Sequence, residues 1–580
     1  MPDPDPAVQY KHLVKHFFRR FFDFDAISAP QLDLIEKNLL TFQILALLVL
    51  PGVLKSLFLI PKYGYYIYRP IWERDLASLT DKCFFLSLSM ILVGFITVFE
   101  WEMLFPDRKD YLNLTHLPIA TRTLFYAKAA ALAAFLLVIT VAIDLCPTFL
   151  FPGAVLANNR FGHEEMGKTI SVSFGIRYVV SHAISMLLGN IFIFLSAISL
   201  QGILMTLRLA PWISRWMRFF CLLLFLSALL SFPQISSVDQ LIHSANPISA
   251  FYPPIWFVGV YDVLLGTKDP MLRAMAGRAL TGLAFACALS ILSYAVCYRR
   301  FLHKTIEFCG GRLQKAGGIR RLGNCILDRW VVRSSESRAS YHFVAQTLFR
   351  STRHTLYIGT FFAVGLAIAA TGLATVVVSD DRAVAGHLDS VLLSIPLILS
   401  FFLLVGMRVI FAIPVELEAN WLFQIAPMQR IQNSHEGLRK YLIGAVVLPV
   451  YCVAGFLYAL VWNWNIVWLH VCFGVTVSCV LMELLLFQFP KIPFTCSYRS
   501  GAGQIVLMFP FYFLGFSGFA FGLANLGSHL AGHPYEILCF YGLAGSLLLL
   551  LIRYNNKSAG TSIRFEEISE DAPILLDLKG

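Results

Sequence analysis

The chain has 580 residues, of which 57% are hydrophobic and only 14% are charged, and it carries a formal net charge of +11. This composition is too apolar for a soluble globular protein of this length and predicts a polytopic membrane protein. The basic residues lie between apolar stretches and not on one basic face. They are therefore typical of membrane topology and do not predict nucleic-acid binding.

The chain begins with an amphipathic segment. Residues 8–24 place apolar side chains at i, i+3 and i+4 spacing, with lysines, arginines and histidines on the other side. The pattern predicts a helix that lies on an anionic leaflet, with membrane lipids as its partner. We assign residues 1–37 to this cytoplasmic segment.

Twelve stretches are long and apolar enough to cross a membrane, since a transmembrane helix needs about 20 mostly apolar residues. They are residues 38–60, 82–103, 124–148, 178–206, 218–236, 278–298, 355–378, 390–412, 441–463, 465–488, 503–525 and 536–552. The predicted fold is all-α, with about twelve transmembrane helices in two six-helix halves, residues 38–300 and 355–553.

A basic linker, residues 301–354, separates the two halves. The stretch from Arg299 to Arg353 contains twelve lysines or arginines against three acidic residues. By the positive-inside rule this linker is cytoplasmic. Because each half has an even number of spans, both termini are then cytoplasmic, including the tail 554–580.

A charged stretch follows the second span of each half, at residues 101–128 and 414–438. Both contain a proline after an apolar residue, an acidic cluster, an aromatic residue followed by leucine, a second proline, and then arginine and lysine. The members are Phe105, Pro106, Asp107, Asp110, Tyr111, Leu112, Pro118, Arg122 and Lys128 in the first half, and Ile413, Pro414, Glu416, Glu418, Trp421, Leu422, Pro427, Arg430 and Lys440 in the second. The similarity indicates a direct repeat, and even span counts make the halves parallel.

Residues 237–277, between the fifth and sixth spans, form an outer segment that the second half lacks, since only residues 526–535 stand in its place. The apolar pieces are too short to cross the membrane and prolines interrupt them. We expect interfacial or re-entrant helices here, with Trp256 and Tyr261 at the depth of the lipid headgroups. The residues that mark the segment are Asn246, Pro247, Pro253, Pro254 and Trp256.

The sequence contains no arrangement that predicts catalysis. It has no Ser/His/Asp set, paired carboxylates or metal-ligand cluster, and its twelve cysteines include no CxxC pair. Neither an enzyme, a metal site nor a cofactor is therefore predicted. Residues 162–169 match the phosphate-binding pattern GxxxxGK[ST], but we reject this match because the loop is assigned to the outer face and two glutamates in it would repel phosphate.

Charge inside a span is costly and often functional, so we single out three of the ionisable residues that lie in the predicted spans. They are Asp144, His182 and Glu483. Because they are scattered, they do not form a recognisable proton relay. We expect each to pair within the helix bundle or to reach the membrane interface.

The order of elements in residues 8–300 resembles the permease subunits of ABC-2 type exporters. Those have a basic amphipathic connecting helix, two spans, a cytoplasmic coupling helix, three more spans, outer re-entrant helices and a sixth span. Residues 105–128 resemble the coupling region of that family. The second half follows the order less completely, with 322–350 as a second connecting helix and 414–438 as a second coupling element.

The resemblance implies two permease halves fused in one chain of the bacterial cytoplasmic (inner) membrane, which move a substrate that the sequence does not identify. It also implies a separate ATP-binding subunit on the cytoplasmic face, because the chain has no ATPase domain of its own. The residues implied to contact that subunit are Asp107, Arg108, Asp110, Tyr111, Leu117, Pro118 and Arg122, together with Glu416, Glu418, Trp421 and Leu422.

Two other classes of protein remain open. A secondary transporter of two parallel six-helix halves has the same layout, but such transporters usually carry charges or unwound helices near the membrane centre. The few charges within the spans and the charged stretch after each second span favour the exporter. The third class is a membrane-embedded transferase with residues 237–277 as a lipid-facing active site, although an acid–base pair is not evident there.

Overall fold

The computed structural model of the chain is built from helices. The described residues are 6–21, 34–66, 69–105, 119, 121–162, 172–207, 211–231, 252–304, 328, 331–378, 385–415, 420, 431–460, 462–487, 489, 492–495, 512, 514–530 and 533–558. Within these ranges 91% of the residues are helical and none lies in a strand. The predicted all-α class is therefore confirmed.

The chain divides into two compact units between Arg312 and Leu313, inside the predicted basic linker. The helices of the first unit are α1 (Pro6–Arg20), α2 (Leu34–Tyr66), α3 (Ile71–Phe99), α4 (Thr121–Gly162), α5 (Val172–Thr206), α6 (Pro211–Ser231), α7 (Pro253–Leu265) and α8 (Pro270–Lys304). A 3-10 turn, Trp101–Met103, follows α3.

The second unit repeats much of this order. Its helices are α9 (Ser335–Arg350), α10 (Thr352–Val378), α11 (Ala385–Ile410), α12 (Ile431–Leu442), α13 (Leu448–Ala459), α14 (Trp464–Leu485), α15 (Leu523–Leu530) and α16 (Pro534–Ser558). A π-helical turn, Ile443–Val447, joins α12 to α13, and another, Gly518–Gly522, precedes α15.

Nine helices in the described ranges are long and apolar enough to cross a membrane. Their apolar stretches are Asp75–Phe99, Arg122–Leu156, Val172–Thr206, Pro270–Cys297, His354–Leu373, Val391–Ile410, Ser434–Ala459, Trp464–Leu485 and Tyr535–Lys557. Three of the twelve predicted spans are not among them, namely 38–60, 218–236 and 503–525. The count of twelve stays a prediction, partly because residues 503–511 lie outside the described part of the chain.

Some pairs of helices pack together in both units, although α2 packs mainly on α4 in the first unit whereas α10 packs mainly on α11 in the second. In the first unit α3 packs on α5 and α6, and in the second unit α11 packs on α14 and α15. In the order of the predicted spans, the fourth packs on the sixth, as α5 on α8 and as α14 on α16. Each amphipathic helix packs on the third span, as α1 on α4 and as α9 on α12. Because the packing is shared only in part, the direct repeat expected from the sequence stays a prediction.

Helix α7 has local reasons to begin and end where it does. Pro253 and Pro254 occupy its first turn, where the missing amide hydrogen of proline costs nothing. Gly266 follows its last residue with φ of 95°, a left-handed conformation that glycine adopts without strain. Gly259 allows close contact with α8, because a Cβ there would lie 2.5 Å from the carbonyl oxygen of Leu272.

Candidate coupling regions and buried polar sites

Of the residues predicted to contact an ATPase, the structure describes only Arg122. It lies in the first turn of α4 and its side chain is exposed. Outside the described residues lie Asp107, Arg108, Asp110, Tyr111, Leu117, Pro118, Glu416, Glu418, Trp421 and Leu422. The structure does, however, describe the residues that flank both predicted coupling regions.

The two ends of the first coupling region contact one aromatic side chain. Phe105, where the chain leaves the second span, has its ring centroid 5.1 Å from that of Tyr294 on α8. Phe125, in the first turns of α4, also has its ring centroid 5.1 Å from that of Tyr294. The Gln201 side chain also donates a hydrogen bond to the Trp101 carbonyl oxygen at 2.5 Å. Helices α5 and α8 therefore hold the base of this region.

Helix α1 is fixed to the start of α4. Leu13, Phe17 and Phe21 are buried in one cluster with apolar residues of α4, and the Phe21 ring stacks on Phe135 at 4.5 Å. Lys128 is buried, with its Nζ 4.7 Å from the centre of the Phe17 ring, a cation–π contact. Part of this apolar face therefore contacts protein, and the expected contact of the helix with lipid stays a prediction. The exposed opposite face carries Lys11, His12, Lys15, His16 and Arg19.

The base of the second coupling region is held by backbone hydrogen bonds. The Phe494 amide donates to the Phe411 carbonyl oxygen (3.0 Å), and the Val415 amide donates to the Phe494 carbonyl oxygen (3.2 Å). His354 of α10 donates from Nε2 to the Ile413 carbonyl oxygen at 3.1 Å. Asn420, in the region itself, donates to the Thr495 carbonyl oxygen at 2.7 Å.

Helix α9 packs on α12 as α1 packs on α4. Val344 and Leu348 of α9 share a buried cluster with Leu438 and Leu442 of α12. The backbones touch at Gly437, since a Cβ there would collide with the carbonyl oxygen of Ser337 on α9. Both units therefore hold an amphipathic helix against the first turns of the third span.

Each unit also contains a buried polar cluster that joins its second, third and fourth spans. In the first unit, Asp144 accepts hydrogen bonds from Ser89 (2.8 Å) and Asn190 (2.9 Å). In the second, the Tyr451 hydroxyl lies 2.9 Å from the Ser478 hydroxyl and 3.4 Å from that of Ser400. The members of both clusters are buried: Ser89, Asp144, Asn190, Ser400, Tyr451 and Ser478.

The structure contains two buried ion pairs that the sequence analysis did not identify. A partner for Glu483 was expected but not named, and the pair of Lys82 and Asp262 was not predicted. Lys82 of α3 lies 2.5 Å from an Asp262 oxygen of α7, and both side chains are about 10% exposed. Arg439 of α12 pairs at 2.6 Å with Glu483 of α14, which also accepts from Asn555 of α16 at 2.9 Å. The expected pairing of Glu483 within the bundle is thus present.

His182 is the exception among the three ionisable residues singled out in the spans. Neither of its ring nitrogens has a hydrogen-bond partner among the described residues. Its ring packs instead against Phe85, Phe151 and Tyr261, with centroids 5.5 to 5.9 Å apart. The expected pairing of His182 within the bundle is therefore not present among the described residues.

The outer segment is described from Tyr252 onward, so Asn246 and Pro247 lie outside the described residues. Trp256 is half-buried and contacts Phe192, with ring centroids 6.0 Å apart. The Tyr261 side chain is fully buried and contacts protein, and its position at headgroup depth stays a prediction. Burial, together with the Tyr178 hydroxyl and the Asp262 charge, raises the pKa of Tyr261, so its hydroxyl is neutral at ordinary pH.

A second carboxylate lies near the start of α3. Asp81 accepts from Lys62 at 2.6 Å and from the Tyr63 hydroxyl at 2.9 Å. Burial and the neighbouring Asp81 charge raise the pKa of Tyr63, which therefore stays a neutral hydrogen-bond donor. Lys62 and Asp81, together with Lys82 and Asp262, form a cluster of charged residues. No short sequence motif predicts this cluster.

The phosphate-binding pattern at residues 162–169 starts at Gly162, the last residue of α4. A phosphate-binding loop follows a strand, whereas this one follows a helix of 42 residues. The rejection of a nucleotide site is thus supported, although residues 163–169 lie outside the described part of the chain.

The all-α fold and its apolar helices define a polytopic integral membrane protein. No model of a protein family, no curated protein and no solved structure matches the chain.

Proposed function

We propose that the chain is the membrane permease of an ABC-2 type exporter, which moves a substrate with energy from a separate ATP-binding subunit. The observation that carries the proposal is the repeated packing of an amphipathic helix on the third span, α1 on α4 and α9 on α12. In each unit this contact lies at the C-terminal end of the charged stretch that resembles a coupling region.

This packing suits the transmission of a mechanical push. Close-packed side chains resist compression, so a displacement at one face of a helix is passed to its neighbours. Tyr294 ties both ends of the first coupling region to α8, and Phe494 and His354 tie the start of the second region to its own bundle. Closure of an ATPase dimer would move both regions and shift the population between inward-facing and outward-facing states.

The test is copurification of the ATP-binding subunit with the full-length chain. We expect Asp110→Arg combined with Tyr111→Ala to lose the subunit, because it reverses a charge and removes a ring in the proposed contact. The control is Glu536→Arg, a charge reversal at an exposed residue in the first turn of α16, which the proposed orientation puts on the outer side. Full retention of the subunit and of transport by the Asp110/Tyr111 variant would contradict the proposal.

A second candidate is a secondary transporter, which the buried carboxylate of Asp144 favours. Charged residues within the membrane are typical of coupling-ion and proton sites in such transporters. Transport by the purified chain in vesicles without any ATPase, abolished by a protonophore, would favour this candidate. Transport that requires the ATP-binding subunit and ATP would exclude it.

A further inference from the structure

Three polar side chains surround one carboxyl group inside the first unit. Ser89 of α3 and Asn190 of α5 both donate to the same Asp144 oxygen, Oδ2, at 2.8 and 2.9 Å. Thr140, one turn earlier on α4, has its hydroxyl 3.4 Å from the Asn190 amide nitrogen. Asp144 is 6% exposed, and its two direct partners are fully or almost fully buried. All three helices are among those of membrane-crossing length.

No cation among the described residues pairs with Asp144. On α3, Lys82 precedes Ser89 by about two turns and is paired with Asp262. On α2, Lys55 lies 3.8 Å from an Asp81 oxygen. These lysines therefore already have carboxylate partners of their own.

The other helices packed on α4 also leave Asp144 without a charged neighbour. On α5, His182 precedes Asn190 by about two turns and lies among aromatic rings. Helix α1 contacts α4 around Ala127, Ala131 and Phe135, more than two turns before Asp144. Other ionisable side chains on α2, α3, α4 and α5 include Lys62, Tyr63, Cys83, Tyr178, Lys128 and Cys146. None of the hydrogen bonds of the Asp144 carboxyl involves them.

An isolated negative charge in this place is costly. A charged group in hydrocarbon is destabilising by several kcal/mol unless it is neutralised. Hydrogen bonds from a hydroxyl and an amide reduce that cost but leave the charge in place. A bound proton removes it, and the resulting O–H can donate to the Ser89 hydroxyl or the Asn190 carbonyl oxygen, both of which are acceptors.

We propose that Asp144 is a proton-binding site within the membrane, and that Ser89 and Asn190 position its carboxyl group. The step is the addition of one proton from solution to a carboxylate oxygen, which converts the ionised group into the neutral acid without breaking another covalent bond. The site goes beyond the proposed export function, because it would exist whether ATP or an ion gradient drives transport.

The second unit provides an internal control. Its matching cluster of Ser400, Tyr451 and Ser478 joins the same three spans but contains only hydroxyl groups. Of these two clusters, therefore, only that of the first unit can give a signal from a carboxyl group.

The experiment is infrared spectroscopy of the full-length chain in lipid nanodiscs, with a pH series and exchange into deuterium oxide. We expect a carbonyl stretch of a protonated carboxylic acid at neutral pH, which shifts in deuterium oxide and disappears in alkaline buffer. The band should be lost in a folded Asp144→Asn variant and retained in Tyr451→Phe. Hydrogen bonds to a carboxylic acid lower the frequency of its carbonyl stretch. Asn190→Leu, which removes one such bond, should therefore raise the frequency of the band. That shift would assign the band to Asp144 even if the Asp144→Asn variant does not fold.

Three outcomes would overturn the proposal. The first is a wild-type chain without this band at neutral pH, since Asp144 would then be ionised. The second is a band that persists in folded Asp144→Asn, since another carboxyl group would then carry the proton. The third is a band that sodium or potassium chloride removes at constant pH, since the site would then hold a metal cation. The measurement needs no transport, so its failure is separate from a failure of the export proposal.

Discussion

The ion pair between Lys82 and Asp262 allows a quantitative test of how α7 is held in the first unit. The side chains are 9% and 10% exposed, and their charged atoms are 2.5 Å apart. Lys82→Met leaves Asp262 as a buried carboxylate without its cation, and breaking a buried pair from one side costs about 3–5 kcal/mol. Since about 1.4 kcal/mol is a tenfold change in an equilibrium constant, local opening of α7 should rise at least about a hundredfold.

The assay is hydrogen–deuterium exchange of the α7 backbone amides in the purified full-length chain. Lys62→Met is the matched control, because Lys62 is 31% exposed and Asp81 keeps the Tyr63 hydroxyl as a donor. Although the Asp81 side chain is only 2% exposed, it keeps Lys55 at 3.8 Å and the Tyr63 hydroxyl as partners, so exchange should change less in that variant than in Lys82→Met.

A double variant separates the lost pair from lost packing. Lys82→Met combined with Asp262→Leu removes both charges, and replacing a buried pair by apolar side chains is often nearly neutral. Exchange in α7 should therefore return towards the wild-type rate. If Lys82→Met left exchange unchanged, or if Lys62→Met accelerated it equally, the buried pair would not be what holds α7.

Three further predictions concern the flanks of the coupling regions. Gly437→Ala should destabilise the second unit by about 1–3 kcal/mol in thermal unfolding, because the added Cβ would collide with α9. Gly444→Ala is the control and should be nearly neutral, because a Cβ there would meet no atom closer than 4.0 Å. Tyr294→Leu should reduce copurification of the ATP-binding subunit while Tyr294→Phe, which keeps the ring, should not. Arg439→Met should cost about 3–5 kcal/mol in denaturant unfolding, and adding Glu483→Gln should restore much of that loss; equal stability of the single and double variants would contradict it.

The helices were predictable because of the membrane itself. In hydrocarbon every backbone amide and carbonyl must be hydrogen-bonded within the protein, so an apolar stretch of about 20 residues has few alternatives to a helix. The helix at 121–162 nevertheless extends well past the predicted span 124–148. Hydropathy predicts which residues can cross the membrane, but it does not predict where the helix itself ends.

The contacts were harder to predict than the helices. The apolar face of α1 has the same spacing whether it covers lipid or Phe135 of α4, so its sequence could not identify which it contacts. Tyr261 was expected at the headgroups because its amphipathic ring suits them, whereas α7 buries it beside His182. Lys82 and Asp262 are 180 residues apart in sequence, and no motif joins residues over that distance.

The most direct test of the export proposal is photo-crosslinking in intact membranes from residues 110 and 418, one in each predicted coupling region. A crosslinkable side chain at Asp110 and at Glu418 should capture the same kind of ATP-binding subunit from the cytoplasmic side. Labelling of either position by a membrane-impermeant reagent added from outside would contradict the account, because a cytoplasmic ATPase could not reach that residue.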